Sequence, residues 1–237
     1  MEHSKTNTKE LLNKIYTSQF SHNTLMSGPF GDRFITYADY VASGQSLTFI
    51  EQFIEQSVLP SYANTHTESS FTGLQTTKLR EESRALIKTS VNALEEDALI
   101  FTGSGSTGAI DLLNRKLAQF FKEQALKPIV FIGPYEHHSN ILPWREGPYD
   151  TVELPAGEDG NVDVLELESQ LKKYAGKRAL IGSFSAASNV TGILAPVLEI
   201  HKLLKRYGAL SFWDYAGAAP YVKMDMNPEG TKGLDAI

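Results

Sequence analysis

Residues 179–214 read ALIGSFS (179–185), AASNVTGILA (186–195), PVLEIHKLLKRYG (196–208) and ALSFWD (209–214), and this stretch decides the fold. The two outer runs are short and apolar without polar alternation, the pattern of strands buried on both faces. Between them a helix is expected from Pro196. Pro196 stands at the helix start and Gly208 at its stop. A strand, a crossover helix and a second strand of these lengths predict a parallel pair.

The same alternation extends outward. PIVFIG (128–133) and TVEL (151–154) read as strands, a helix is expected from Val164, and ALIFT (98–102) reads as a further strand before a helix from Thr107. The expected class is therefore α/β: a mostly parallel sheet with helices on both faces. Upstream, Leu11, Leu12, Ile15 and Tyr16 mark an amphipathic helix over 8–20. The Gly- and aromatic-rich GPFGDRFITYADYVASG (28–44) reads as loop and short strands. Helices are expected over 47–58, ended by Pro60, and over 74–94. This texture divides the chain into an N-terminal helical and loop segment, residues 1–65, and a large domain, residues 66–237.

Of the 237 residues 41% are hydrophobic and 21% charged, ordinary composition for a chain with a sizeable core. The formal net charge is −6 and the basic residues are scattered, so no footprint for nucleic acid or an anionic membrane is expected. No apolar run approaches the ~20 residues of a membrane span, and no secretory h-region is visible, so the expected location is cytoplasmic. With no cysteine in the sequence, a disulfide framework or thiolate metal site is excluded within it.

In open parallel sheets, ligands bind beyond the carboxyl ends of strands, so the residues following each strand carry the functional weight. Gly103-Ser104-Gly105-Ser106-Thr107-Gly108 lies between ALIFT and a helix, where free N–H groups and hydroxyls suit a phosphate. The same residues satisfy G-x-G-x-x-G at Gly103, Gly105 and Gly108. A rival reading is therefore an NAD-dependent oxidoreductase, with Glu136 as a late acidic partner for the ribose. Glu136-His137-His138-Ser139-Asn140 follows PIVFIG. Adjacent histidines point to opposite sides of a strand and lack a third ligand, so no metal site is expected, whereas an imidazole here could stack on a flat ligand or move protons. Asn189 in SNVTG either donates to a ligand oxygen or closes an Asx turn. Asp214 ends an apolar strand, a costly place for a carboxylate unless it meets a cation or caps a helix. His66, in the loop NTH, reads as part of a polar turn.

Taken in order, TYADYVASG (36–44), YANTHTESS (62–70), GSGSTGAIDLL (103–113), EHHSNILPW (136–144), SNVTG (188–192) and WDYAGAAP (213–220) resemble the class V aminotransferase family of fold-type I pyridoxal-5′-phosphate (PLP) enzymes, which includes cysteine desulfurases. The resemblance runs from about Tyr37 onward. It implies that residues 66–237 are part of a PLP-binding large domain. It also implies that Gly105, Ser106 and Thr107 hold the cofactor phosphate, that His137 stacks on the ring, and that Asn189 reaches the ring oxygen. Asp214 would pair with the protonated ring nitrogen, making His137 and Asp214 the catalytic candidates, and His66 would lie near the substrate. Family members commonly carry Gln three residues after the Asp; here that position is Gly217.

The family's cofactor-holding lysine stands at the end of the strand after the Asp, in a Ser/Thr-x-His-Lys stretch. GLDAI (233–237) reads as the opening of that strand, so the lysine is expected beyond Ile237, and Lys223 and Lys232 are expected to be solvated loop residues. The resemblance thus implies a fragment of a homodimeric enzyme acting on an amino acid, itself inactive and aggregation-prone. A binding module that keeps the fold without catalysis is the non-enzyme alternative.

Overall fold

The computed structural model describes residues 8–237, which form two compact units dividing between Ala85 and Leu86. The first contains helix α1 (Thr8–Thr17) and an antiparallel hairpin of β1 (Leu25–Gly28) and β2 (Gly31–Phe34). Helix α2 (Thr48–Phe53) runs on through a wide turn over Ile54–Val58 and a tight one over Leu59–Ser61 that contains Pro60. Helix α3 (Phe71–Ser90) follows, and the division falls within its last turns. Gly73 is the one buried residue among residues 8–85.

The second unit is the α/β body. Its elements are α4 (Gly105–Glu123), β3 (Ile129–Ile132), α5 (Leu142–Glu146), β4 (Asp150–Glu153), α6 (Val164–Tyr174), β5 (Leu180–Ser185), α7 (Val197–Arg206) and β6 (Leu210–Asp214). Strands β4-β3-β5-β6 form one wholly parallel sheet in that order. Alternate residues feed two cores. Ile129, Phe131, Leu180, Phe184 and Trp213 pack with Leu167 and Leu171 of α6 and Ile200, Leu203 and Leu204 of α7. Val130, Ile132, Ile181 and Phe212 pack on the other face with Trp144 and Phe121. Burial on both faces is why these strands read as unbroken apolar runs. Gly182 lets α7 close on the sheet: a Cβ there would lie 2.6 Å from a Leu204 methyl.

The α/β expectation and the parallel sheet hold, with most boundaries within two residues. One strand does not form. Residues 98–102 join no ladder, and Ile100 is 64% exposed. Short apolar runs satisfy the strand pattern, but a strand needs a partner, and none pairs with this run among the described residues. At the other end, GLDAI does run along β6: Ala236 pairs in parallel with Phe212, Trp213 N–H donates to the Ala236 carbonyl (3.1 Å) and Asp235 N–H to that of Ser211 (3.1 Å). No helix among the described residues is long and apolar enough to cross a membrane.

Candidate active site at the carboxyl edge of the sheet

The strand order reverses between β3 and β5, since the chain passes from β3 outward to β4 and then returns to β5 on the opposite side. Such a switch point opens a crevice at the carboxyl edge, where ligands of parallel sheets bind. Register brings the candidate residues to that edge: Ile132 lies beside Ser183, and Ser185 beside Asp214.

Helix α4 presents its N-terminus there. Ser104 and Gly105 both adopt left-handed backbone, with φ of 62° each, and no side chain caps the helix. The N–H groups of Gly105, Ser106 and Thr107 find no acceptor among the described residues, leaving the positive end of a 19-residue helix open. Gly108 is sterically required, because a Cβ there would sit 1.9 Å from the Gly103 carbonyl oxygen. Ser106 and Asp214 line the same cavity of about 510 Å³, together with Asn140, Ser183, Ile110 and Ala216.

Asp214 ends β6. One of its oxygens accepts the Ala216 N–H (2.8 Å), so the carboxylate neither caps a helix nor meets a cation among the described residues. His137 is exposed and opens a tight turn over His138–Asn140. Its Nδ1 accepts the Ser139 N–H (3.2 Å) and lies 2.8 Å from Ser139 Oγ, which fixes the ring and assigns its proton to Nε2. Asn189 is exposed too. The turn around it is closed by Ser188, whose Oγ accepts from the N–H groups of Val190 and Thr191 (3.2 Å each), so the Asx-turn alternative is corrected and the Asn189 amide is left over.

His66 belongs to the first unit, at a positive φ of 84°, with Thr65 beside it accepting from Arg80 (3.4 Å). Lys223 and Lys232 are exposed loop residues, as expected. No group of three metal-ligating side chains occurs among the described residues.

Glu136 is the functional-edge residue that spacing misjudges. Its carboxylate accepts from the Ser185 N–H (2.9 Å), Ser185 Oγ (2.7 Å) and Asn140 Nδ2 (2.7 Å). Those donors occupy the oxygens a ribose would need, and the strand required before a dinucleotide glycine loop is missing at 98–102, which removes both supports of the NAD reading. Burial pushes the Glu136 carboxyl up from its ordinary range. The bonds from Ser185 and Asn140 pull it down, and the Asp214 charge adds to the upward push.

Residues 36–231 match the sequence profile of the family described as Aminotransferase class-V. The chain belongs to the class V aminotransferase family. Within it, the chain is 28% identical over 200 residues to a probable cysteine desulfurase of Halalkalibacterium halodurans, covering 83% of this chain and 48% of that protein. It is 27% identical over 196 residues to a cysteine desulfurase of Pectobacterium carotovorum, covering 81% and 46%. The apo structure of a cysteine desulfurase from Thermococcus onnurineus superposes with a TM-score of 0.74 at 21% identity, covering 95% of this chain and 51% of that one. The chain thus spans about half the length of the curated relatives it matches, and its fold is shared with about half of the Thermococcus onnurineus structure.

Proposed function

We propose that this chain carries the cofactor pocket of a PLP-dependent enzyme that transforms an amino acid, of the aminotransferase class V or cysteine desulfurase type. The residues suit that cofactor. The open N-terminus of α4 offers three N–H groups and two hydroxyls to a phosphate; the amide of Asn189 and the free oxygen of Asp214 await polar partners at the same sheet edge. When bound, PLP supplies an electron sink for negative charge developing at the substrate α-carbon.

The chain's own groups then have distinct tasks. Gly105, Ser106 and Thr107 bind the phosphate against the helix dipole. His137 covers one face of the ring, its orientation held by Ser139. Asp214 holds a proton on the ring nitrogen, because a carboxylate beside that nitrogen favours its charged form. Asn189 donates to the ring oxygen, unassisted where Gly217 replaces the family's Gln. The lysine of the family, the homodimer and a cytoplasmic location are part of this reading for the intact enzyme, on family membership.

The observation that carries the proposal is Asp214: a strand-end carboxylate without a cation among the described residues, in one cavity with Ser106. The two tryptophans, Trp144 and Trp213, report on the site, since Trp213 precedes Asp214. Titrating PLP into the chain should quench their emission saturably, and Asp214→Asn should weaken binding by about tenfold or more, the scale of one charge-assisted bond. Unsaturable quenching, or an unchanged affinity in the variant, contradicts the assignment.

A further inference from the structure

Glu136 sits astride the switch point. It follows β3, yet both of its oxygens are bound to Ser185 at the end of β5, and Ser185 is the register partner of Asp214 on β6. Its Oε2 also takes the Asn140 amide, and the Asn140 N–H donates to the His137 carbonyl (2.8 Å), closing the turn that His137 opens. The side chain folds back over Gly133, where a Cβ would lie 2.6 Å from Glu136 Oε1. The Asn140 oxygen is engaged in turn: Oδ1 accepts from Trp144 Nε1 (3.1 Å) and Ser183 Oγ (2.6 Å). One carboxylate therefore joins the turn carrying His137 to the end of β5, whose last residue is the register partner of Asp214 on β6.

We propose that Glu136 is a positioning residue that locks the His137 turn, through its bond to Asn140, to the end of β5 beside Asp214, a role that rests on the cofactor-binding reading above. The donor pattern makes the proposal specific. Three N–H or O–H groups converge on Glu136, so only an acceptor-rich carboxylate satisfies them all. An amide in its place can keep the Ser185 N–H bond through its oxygen, while Ser185 Oγ rotates to accept. Its NH₂ group then faces the Asn140 NH₂, and Asn140 cannot flip without abandoning Trp144 and Ser183. Glu136→Gln accordingly breaks the Asn140 link while sparing the β5 link. Adding Asn140→Asp restores it in reverse, because the new carboxylate accepts from the new amide and still accepts from Trp144 and Ser183, at unchanged net charge.

The test is PLP affinity, read from tryptophan quenching, in the wild-type chain, Glu136→Gln and the double variant Glu136→Gln/Asn140→Asp. The expected result is a loss of about tenfold in the single variant and recovery to within about threefold of wild type in the double variant. A merely structural residue would not produce recovery of affinity by exchange of donor and acceptor. Unchanged affinity in Glu136→Gln, or a double variant as weak as the single, overturns the proposal. Should Glu136→Gln alone fail to fold, the double variant decides: folded and binding supports the lock, folded and not binding overturns it. A wild-type chain that binds no PLP defeats the cofactor reading itself, and this inference with it.

Discussion

At the scale of single residues, one buried group and one half-buried group couple the fold to pH in opposite directions. His201 lies within the α7 face of the core, donating from Nε2 to the Lys232 carbonyl (2.7 Å) and accepting at Nδ1 from Ser211 Oγ (3.0 Å), which is a neutral imidazole. Burial pushes its pKa below the ordinary 6.5, against the pull of the Lys232 carbonyl. The unfolded chain thus takes up this proton before the folded one, so stability is held above pH 6.5 and lost as pH falls through the lowered value. Glu136, with its raised pKa, has the reverse sign: its contribution is held below the ordinary 4.5 and lost as pH rises. Denaturant midpoints should fall between about pH 7.5 and about pH 5.5, and His201→Gln should flatten that fall; an unchanged slope in the variant would remove His201 from the account. The sequence exposes His137 and Asp214 as site candidates because each stands just past a strand. Glu136 is opaque by comparison, since its main partner Ser185 is 49 residues away and only Asn140, at i+4, gives a local hint.

At the scale of elements, the ends of helices and the tight approaches carry measurable free energy. Asp163 caps α6 by accepting from the N–H groups of Leu165 (2.9 Å) and Glu166 (3.0 Å), so Asp163→Ala should cost about 1 kcal/mol in chemical denaturation. Gly182→Ala should cost more, about 1–3 kcal/mol, because the new methyl group meets Leu204 and Phe184 in a core with no slack. Equal stability of the Gly182 variant and wild type would mean that α7 packs less closely than described. The elements themselves were legible where periodicity and punctuation agree, as at Pro196 and Gly208 around α7. They were illegible where pairing decides. Residues 98–102 have strand composition, but composition cannot supply the hydrogen-bonding neighbour that makes a strand.

At the scale of the whole molecule, stability is unevenly distributed. Residues 8–85 bury only Gly73, whereas the sheet and its helices bury Phe131, Phe184, Trp144 and Leu204 completely or nearly so. Hydrogen exchange should therefore be fast across the first unit and slowest in β3, β5 and β6, as regions with few buried apolar contacts open at little cost; uniform protection across both units would contradict this. The α/β class was readable from the alternation of short apolar runs with helical stripes, since each reflects burial on both sides of a sheet. The division at Ala85 was not, because it lies inside a helix whose sequence shows no break. The most direct test of the central claim is a crystal structure of the chain grown with PLP. The account predicts the phosphate at the N-terminus of α4, against Gly105, Ser106 and Thr107, with the ring under His137 and its nitrogen toward Asp214. A phosphate bound elsewhere, or a ring whose nitrogen faces away from Asp214, would contradict it.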